Sequence, residues 1–453
     1  MTDLTQQNRN LSEDDYTAGI DATIEYDFTK PAKTEFKPWH KPRKQYVRNK
    51  QWVHLINELL SAHFPEDKTF KYLSLPGDDL LDLRWLHEKV CVPKKVKIKY
   101  LGFNKGEKPG PEHDAKLEIS RSEINSLPYV DGQSKLLPDD IIQISGGEKS
   151  IAFDESKEMA PFDIINIDLC DSIAGEAVDE FKENHYKTLN TLMTLQSYRK
   201  DPWLLLLTTR TNKGKVNNDV FKVLKKVYLE NLKSCKGFMQ KSSTITSVDG
   251  EEALENYCLK EDGFTNVFLI GLSKWIQGLG VSQTPQKEVE IKSIMGYRVW
   301  SKATSPDMIS IALQINPTNT LAFDKMGLSS QNSPKVDECD KAIKMLEQLA
   351  LQINVDEVLT DDGLRDLMKS ETIALLKQAR YNVEGYDDFL VKYSQQMSVG
   401  AVAQPNSKTV EAIEQAIALK KVDEIYSEKK ILPGPKIIGK IDLTNFEKFR
   451  KKK

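Results

Sequence analysis

Cysteine is scarce in this chain of 453 residues. The five present, Cys91, Cys170, Cys235, Cys258 and Cys339, form no CxxC pair. Their scatter argues against a zinc ribbon and against a disulfide scaffold, and fits a reducing cytoplasm. Histidine is almost as rare, at six residues, with no HExxH motif. No metal site is expected. No apolar run approaches the roughly 20 residues needed to span a bilayer, so no membrane contact is expected. The opening "MTDLTQQNRNLSEDD" lacks the apolar centre of a signal peptide. The net charge is only −3. That excludes a chain basic enough to coat nucleic acid with its whole surface, while leaving room for local basic runs. What remains, with charged residues at 29% and aromatics at 8%, is an ordinary globular composition. The length allows two or three domains.

Residues 1–62 read as an arm, polar at first and then basic and aromatic. "KPWHKPRKQYVRNKQW" mixes cations with rings before Trp52, Leu55, Ile56, Leu59 and Leu60 recur at helical spacing. A helix is expected near 48–62. From 63 to 318 strands and helices alternate. "FKYLSLPG", "KVKIKYLGFN", "DDIIQISGG", "FDIINID" and "PWLLLLTTR" read as five strands. The last is apolar throughout, as in a strand covered on both faces. "DDLLDLRWLHEKV" reads as a helix after the first strand, and "AGEAVDEFKENHYKTLNTLMTLQSYRK" as one long helix after the fourth. "EIKSIMGYRVWSK" and "MISIALQINP" then form a hairpin-like antiparallel pair. The expected fold class is therefore α/β, a doubly wound Rossmann-like sheet with an antiparallel edge pair. Residues 319–453 carry three amphipathic helical patterns and the basic tail "FEKFRKKK". They read as a separate C-terminal helical module, a candidate surface for a protein partner.

Two places carry chemistry. The fourth strand delivers Asp168, Asp171 and Ser172 at its C-terminal end, where open α/β sheets bind ligands. These are the candidate catalytic residues. A helix-capping role for Asp171 and Ser172 competes with that reading. The first strand ends in a turn containing Gly77 and Asp78, and the second ends at Asn104. In the arm, Lys41, Arg43, Lys44 and Arg48 lie among aromatic residues, a mixture suited to flexible nucleic acid. The alternative is an arm that packs its rings across the sheet domain.

The order of these elements resembles the class I S-adenosylmethionine-dependent methyltransferase fold over roughly residues 65–315. "INIDLCDSIAG" is also similar to the "IDLDPFGSP" stretch of the tRNA guanine dimethyltransferases. Asp168 stands at the central aspartate and Ser172 at the serine. Leu169 replaces the proline and Asp171 the glycine. The resemblance implies S-adenosylmethionine as cofactor, held by Gly77, Asp78 and Asn104, and methyl transfer to a nucleic acid at Asp168, Asp171 and Ser172. The first loop departs from the family's glycine-rich pattern, with Gly77 as its only glycine. Asn104 stands where the family has an acid that holds the ribose. These departures support two alternatives. One is a catalytically silent scaffold within a multicomponent assembly, such as a bacterial antiviral defence or nucleic-acid-processing system. The other is a crevice that binds a different nucleotide.

Overall fold

The computed structural model describes residues 33–64, 68–106, 109–176, 182–283, 285–300, 302–318 and 338–398. The polar start of the arm, the third expected C-terminal helix and the basic tail lie outside them.

Eight strands form one sheet: β1 (Thr69–Ser74), β2 (Lys97–Phe103), β3 (Lys135–Leu137), β4 (Ile164–Asp168), β5 (Trp203–Arg210), β6 (Lys287–Tyr297), β7 (Met308–Pro317) and β8 (Ile353–Asn354). Their order across the sheet is β3-β2-β1-β4-β5-β7-β6-β8. Strands β1 to β5 are mutually parallel, and β7 pairs antiparallel with both β5 and β6. This is the expected doubly wound sheet with its antiparallel edge pair, in the strand order of the class I methyltransferase fold. A short eighth strand, β8, is added outside β6, parallel to it. The order reverses between β1 and β4, which opens a crevice at their C-terminal ends.

Successive residues of the central strands face opposite sides, as the pleat requires. Tyr72, Ile164, Leu204 and Leu206 enter one apolar cluster, and Leu73, Ile165, Leu205 and Leu207 the other. On the first face lies helix α1, which runs over Pro42–Val47, takes a π-helical segment at Arg48–Val53 and continues as His54–His63. It begins earlier than expected because Pro42 occupies its first position, where a missing N–H costs nothing. Helix α2 follows β1 with the same build: Leu81–Leu86, a π-helical segment His87–Cys91, then Val92–Lys94. Helix α3 spans Pro111–Asn125.

Several expectations are corrected. "DDIIQISGG" is not the third strand. Asp140 accepts the Ile142 N–H at 3.2 Å and starts a 3-10 helical stretch, Ile141–Lys149, whose Ile141 and Ile144 fill the core. The third strand is Lys135–Leu137, just upstream of that stretch. Among the described residues the helix after β4 runs over His185–Leu195, where Asn184 caps the Lys187 N–H at 3.0 Å. A side-chain acceptor at that position satisfies a backbone donor that would otherwise open the helix end. Cys235 and Cys339, two of the cysteines whose scatter fitted a reducing cytoplasm, are joined by a disulfide.

The amphipathic helices beyond 318 do not stand apart as far as residue 398. In the helix Glu338–Ala350, Ala342, Met345, Leu346 and Leu349 share an apolar cluster with β5 and β7. In Asp362–Gln378, Met368, Leu375 and Leu376 join the cluster that holds Tyr46, Trp52 and Trp85. The apolar stripes of these two helices, read as a partner surface, are consumed by the sheet domain itself. The arm is likewise part of this unit.

Candidate functional site

Gly77 follows the C-terminal end of β1 and Asp168 closes the adjacent parallel strand β4, so the two sequence motifs come to one end of the sheet. On the β1–β2 side, Asn104 links the loops. Its side-chain amide donates to the Asp78 carboxylate at 2.9 Å and to the Pro76 carbonyl at 3.2 Å, and its oxygen accepts the Gly106 N–H at 2.8 Å. Asn104 thus orients the Asp78 carboxylate. The imidazole of His113 stands 3.4 Å from the same carboxylate oxygen. Gly102 lets the first loop settle on β2, since a Cβ there would come within 2.9 Å of the Pro76 ring.

The next acid, Asp79, turns inward. Lys33 donates to it at 2.6 Å and the Tyr381 hydroxyl at 2.8 Å, while the His40 ring lies 3.4 Å away. Burial alone would raise its pKa, but the His40 and Lys33 interactions outweigh burial and hold the carboxyl well below the usual range. His40 is itself shifted down, chiefly by burial.

On the β4 side the strand register builds a polar row. Ser74 pairs with Asn166, Asp168 with Thr208, and Thr208 with Ser310. Paired residues share a face, and Asn166 and Asp168 lie two apart, so this row points at α1. From α1, Lys44, Arg48 and Gln51 answer at helical spacing. Lys44 donates to Asp168, and Gln51 exchanges hydrogen bonds with Ser310 at 2.6 and 3.0 Å. The Lys44 ammonium also stands 4.6 Å from the centre of the Trp52 ring. Below the row, the Tyr72 hydroxyl donates to Asp82 at 3.0 Å and accepts from the Asn166 amide at 2.8 Å. Burial pushes Lys44 down and Asp82 up.

The remaining sequence candidates are placed as follows. Asp171 is exposed and pairs with Lys215 at 2.8 Å. It caps none of the described helices, the next of which begins at His185. The buried Ser172 hydroxyl accepts the Ala174 N–H at 3.2 Å within a turn. Neither is gathered with Asp168 around a common partner by any of these bonds. Of the arm cations, Lys41, Lys44 and Arg48 are buried. Arg43 pairs with Asp356 at 3.2 Å and donates to the Arg298 carbonyl. The arm packs across the sheet domain, and these cations are engaged inside the fold. Sequence reasoning missed Tyr72, Asp82 and Asn166. The signal available was Asn166 itself, a lone amide within the apolar strand "IINID".

Solved structures similar to the chain are distant. The chain is similar to a Listeria monocytogenes protein described as a class I S-adenosylmethionine-dependent methyltransferase, with 11% identity, a TM-score of 0.30, and coverage of 61% of this chain and 62% of that one. It is also similar to magnesium protoporphyrin IX methyltransferase from Synechocystis PCC 6803, solved with bound S-adenosylhomocysteine, at 12% identity, TM-score 0.28, and coverage of 61% and 86%. These likenesses are distant, and the fold assignment rests on the strand order. None of the curated proteins matches the chain. A model of the PP_RS20740-like family matches residues 33–391, which takes in the arm from residue 33, the whole sheet and the helices packed on it. The chain belongs to the PP_RS20740-like family.

Proposed function

We propose that this chain binds S-adenosylmethionine in the crevice above β1, β2 and β4 and serves a methyl transfer at Asp168. The observation that carries this reading is the meeting of Asp78 and Asn104 beside Gly77 at the same end of the sheet as Asp168. The residues fit the cofactor. Asp78, half exposed, offers a carboxylate to a ribose diol while Asn104 fixes its orientation. When bound, the cofactor supplies an electrophilic methyl group on a sulfonium. The chain's own contribution on the acceptor side is Asp168. Its carboxylate is still partly open to the crevice, able to accept a hydrogen bond from an acceptor amine and to stabilise positive charge gathering there. Lys44 holds that carboxylate in place.

Nucleic acid is the acceptor class that the β4 end favours, through its likeness to the guanine dimethyltransferases. The arm is not the phosphate track in this reading, since its cations are engaged within the fold. The test is transfer of a labelled methyl group from S-adenosylmethionine to RNA. Label should appear in RNA with the wild-type chain and not with Asp168→Asn. Equal labelling by both proteins overturns the role of Asp168.

A second reading, a catalytically silent scaffold, is favoured by one observation. Asp79 and Asp168, two of the acids nearest the crevice, are both neutralised by cations of the arm. It predicts no methyl transfer to any acceptor.

A further inference from the structure

Around the ends of β1 and β4, several buried polar atoms have no partner within the protein. They are Nε and Nη1 of Arg48, Oδ1 of Asp82, Oγ of Ser74 and Oδ1 of Asn166. Arg48 is 5% exposed, Asp82 9%, and Ser74 and Asn166 at most 1%. Native proteins leave few such groups, because each unmade bond costs about 1–3 kcal/mol. So many in one neighbourhood call for something that fills them.

They do share a neighbourhood. Ser74 and Asn166 are paired across β1 and β4. Asn166 and Asp82 both bind the Tyr72 hydroxyl. The Arg48 charge acts on both Asp82 and Asp168. Trp39 connects the group to the cofactor loop. Its carbonyl accepts from Arg48 Nη2 at 3.4 Å, and its indole nitrogen lies 3.7 Å from where a Cβ of Gly77 would stand. The unmet donors belong to a cation and the unmet acceptors to a carboxyl and an amide. Water matches hydroxyls and amides well, but the two unmet guanidinium donors, Nε and Nη1, are better matched by an anion. The set is complementary to a zwitterion that carries a carboxylate and an ammonium.

We infer that Arg48, Asp82, Asn166 and Ser74 receive the α-amino-acid end of the cofactor. Arg48 donates to the carboxylate, Asp82 and Asn166 accept from the ammonium, and the Ser74 hydroxyl serves either. The inference rests on the reading that the crevice binds S-adenosylmethionine. It makes the arm part of the cofactor site, with Arg48 as the residue that recognises the amino-acid end. The π-helical segment of α1 begins at Arg48, and such segments are frequent at functional positions.

The test is calorimetric titration with two probes, S-adenosylhomocysteine and 5′-methylthioadenosine, which lacks the amino-acid end. The wild-type chain should bind the first more tightly by roughly 10- to 100-fold, the range of a charged hydrogen-bonded pair. Arg48→Met should reduce that preference to under about threefold while leaving methylthioadenosine affinity unchanged. Asp82→Asn, which keeps the side-chain shape, makes the same comparison if Arg48→Met does not fold. Equal wild-type affinity for the two probes overturns the inference, as does a preference that survives both substitutions. If the wild type binds neither probe, the cofactor reading itself falls and takes this one with it.

Discussion

Lys44 on the helix before the sheet donates its ammonium to Asp168 at the end of β4, across 124 positions of sequence. The lysine side chain is 5% exposed and the aspartate 24%. The pair is therefore asymmetric. Asp168→Asn strands a buried ammonium and should cost about 3 kcal/mol. Lys44→Met leaves a carboxylate that water still reaches, and should cost only about 1 kcal/mol. Urea unfolding of the two variants checks the order. A smaller loss for Asp168→Asn would mean that the ammonium finds another acceptor.

Asp79 ties the arm to the first loop and to Tyr381. Its carboxyl titrates below its ordinary 3.8 in the folded chain. A depressed carboxyl binds fewer protons folded than unfolded. Its contribution is therefore complete above that ordinary value and is lost as pH falls below it. Asp79→Asn should be less stable than wild type at pH 7, with the gap closing under acid conditions. Thermal melts at pH 7 and pH 3 measure it, and a gap that stays constant contradicts the linkage.

Lys41 is depressed too, but there the fold penalises the charged form instead of favouring it. Burial, with help from Arg43, pushes its ammonium down from 10.5 to about 7. The unfolded chain therefore holds a proton that the folded chain releases between those values. Stability from this site should rise as pH climbs from about 7 to 10.5. Lys41→Met should flatten that part of the stability–pH curve and raise the melting temperature at pH 7. An unchanged curve would show that Lys41 stays charged in the fold.

The sheet was legible because its signals are local. An unbroken apolar run marks β5, and alternation with a short Ser-Pro link marks the β6–β7 pair. The third strand was not, since three residues carry little pattern and the apolar pair Ile141–Ile142 beside it imitates a strand. What failed at the site was the direction in which charges face. Lys44 and Arg48 look like a solvated basic run in sequence. Only the register that sets Asp168, Thr208 and Ser310 side by side shows that a polar sheet face awaits them. Asp171 and Ser172 looked like caps because a helical pattern follows, but among the described residues the cap of the next helix is Asn184. Asp79 could not be linked to Tyr381, 302 residues away, by any local pattern.

The central claim is that the crevice holds S-adenosylmethionine with Asp78 on the ribose side. Calorimetric titration of S-adenosylhomocysteine into the wild-type chain and into Asp78→Ala tests it most directly. The account predicts saturable binding of one equivalent to the wild type, weakened by roughly 10-fold or more when the charged acceptor is removed. No heat of binding at millimolar ligand, or equal affinity in the two proteins, would contradict it.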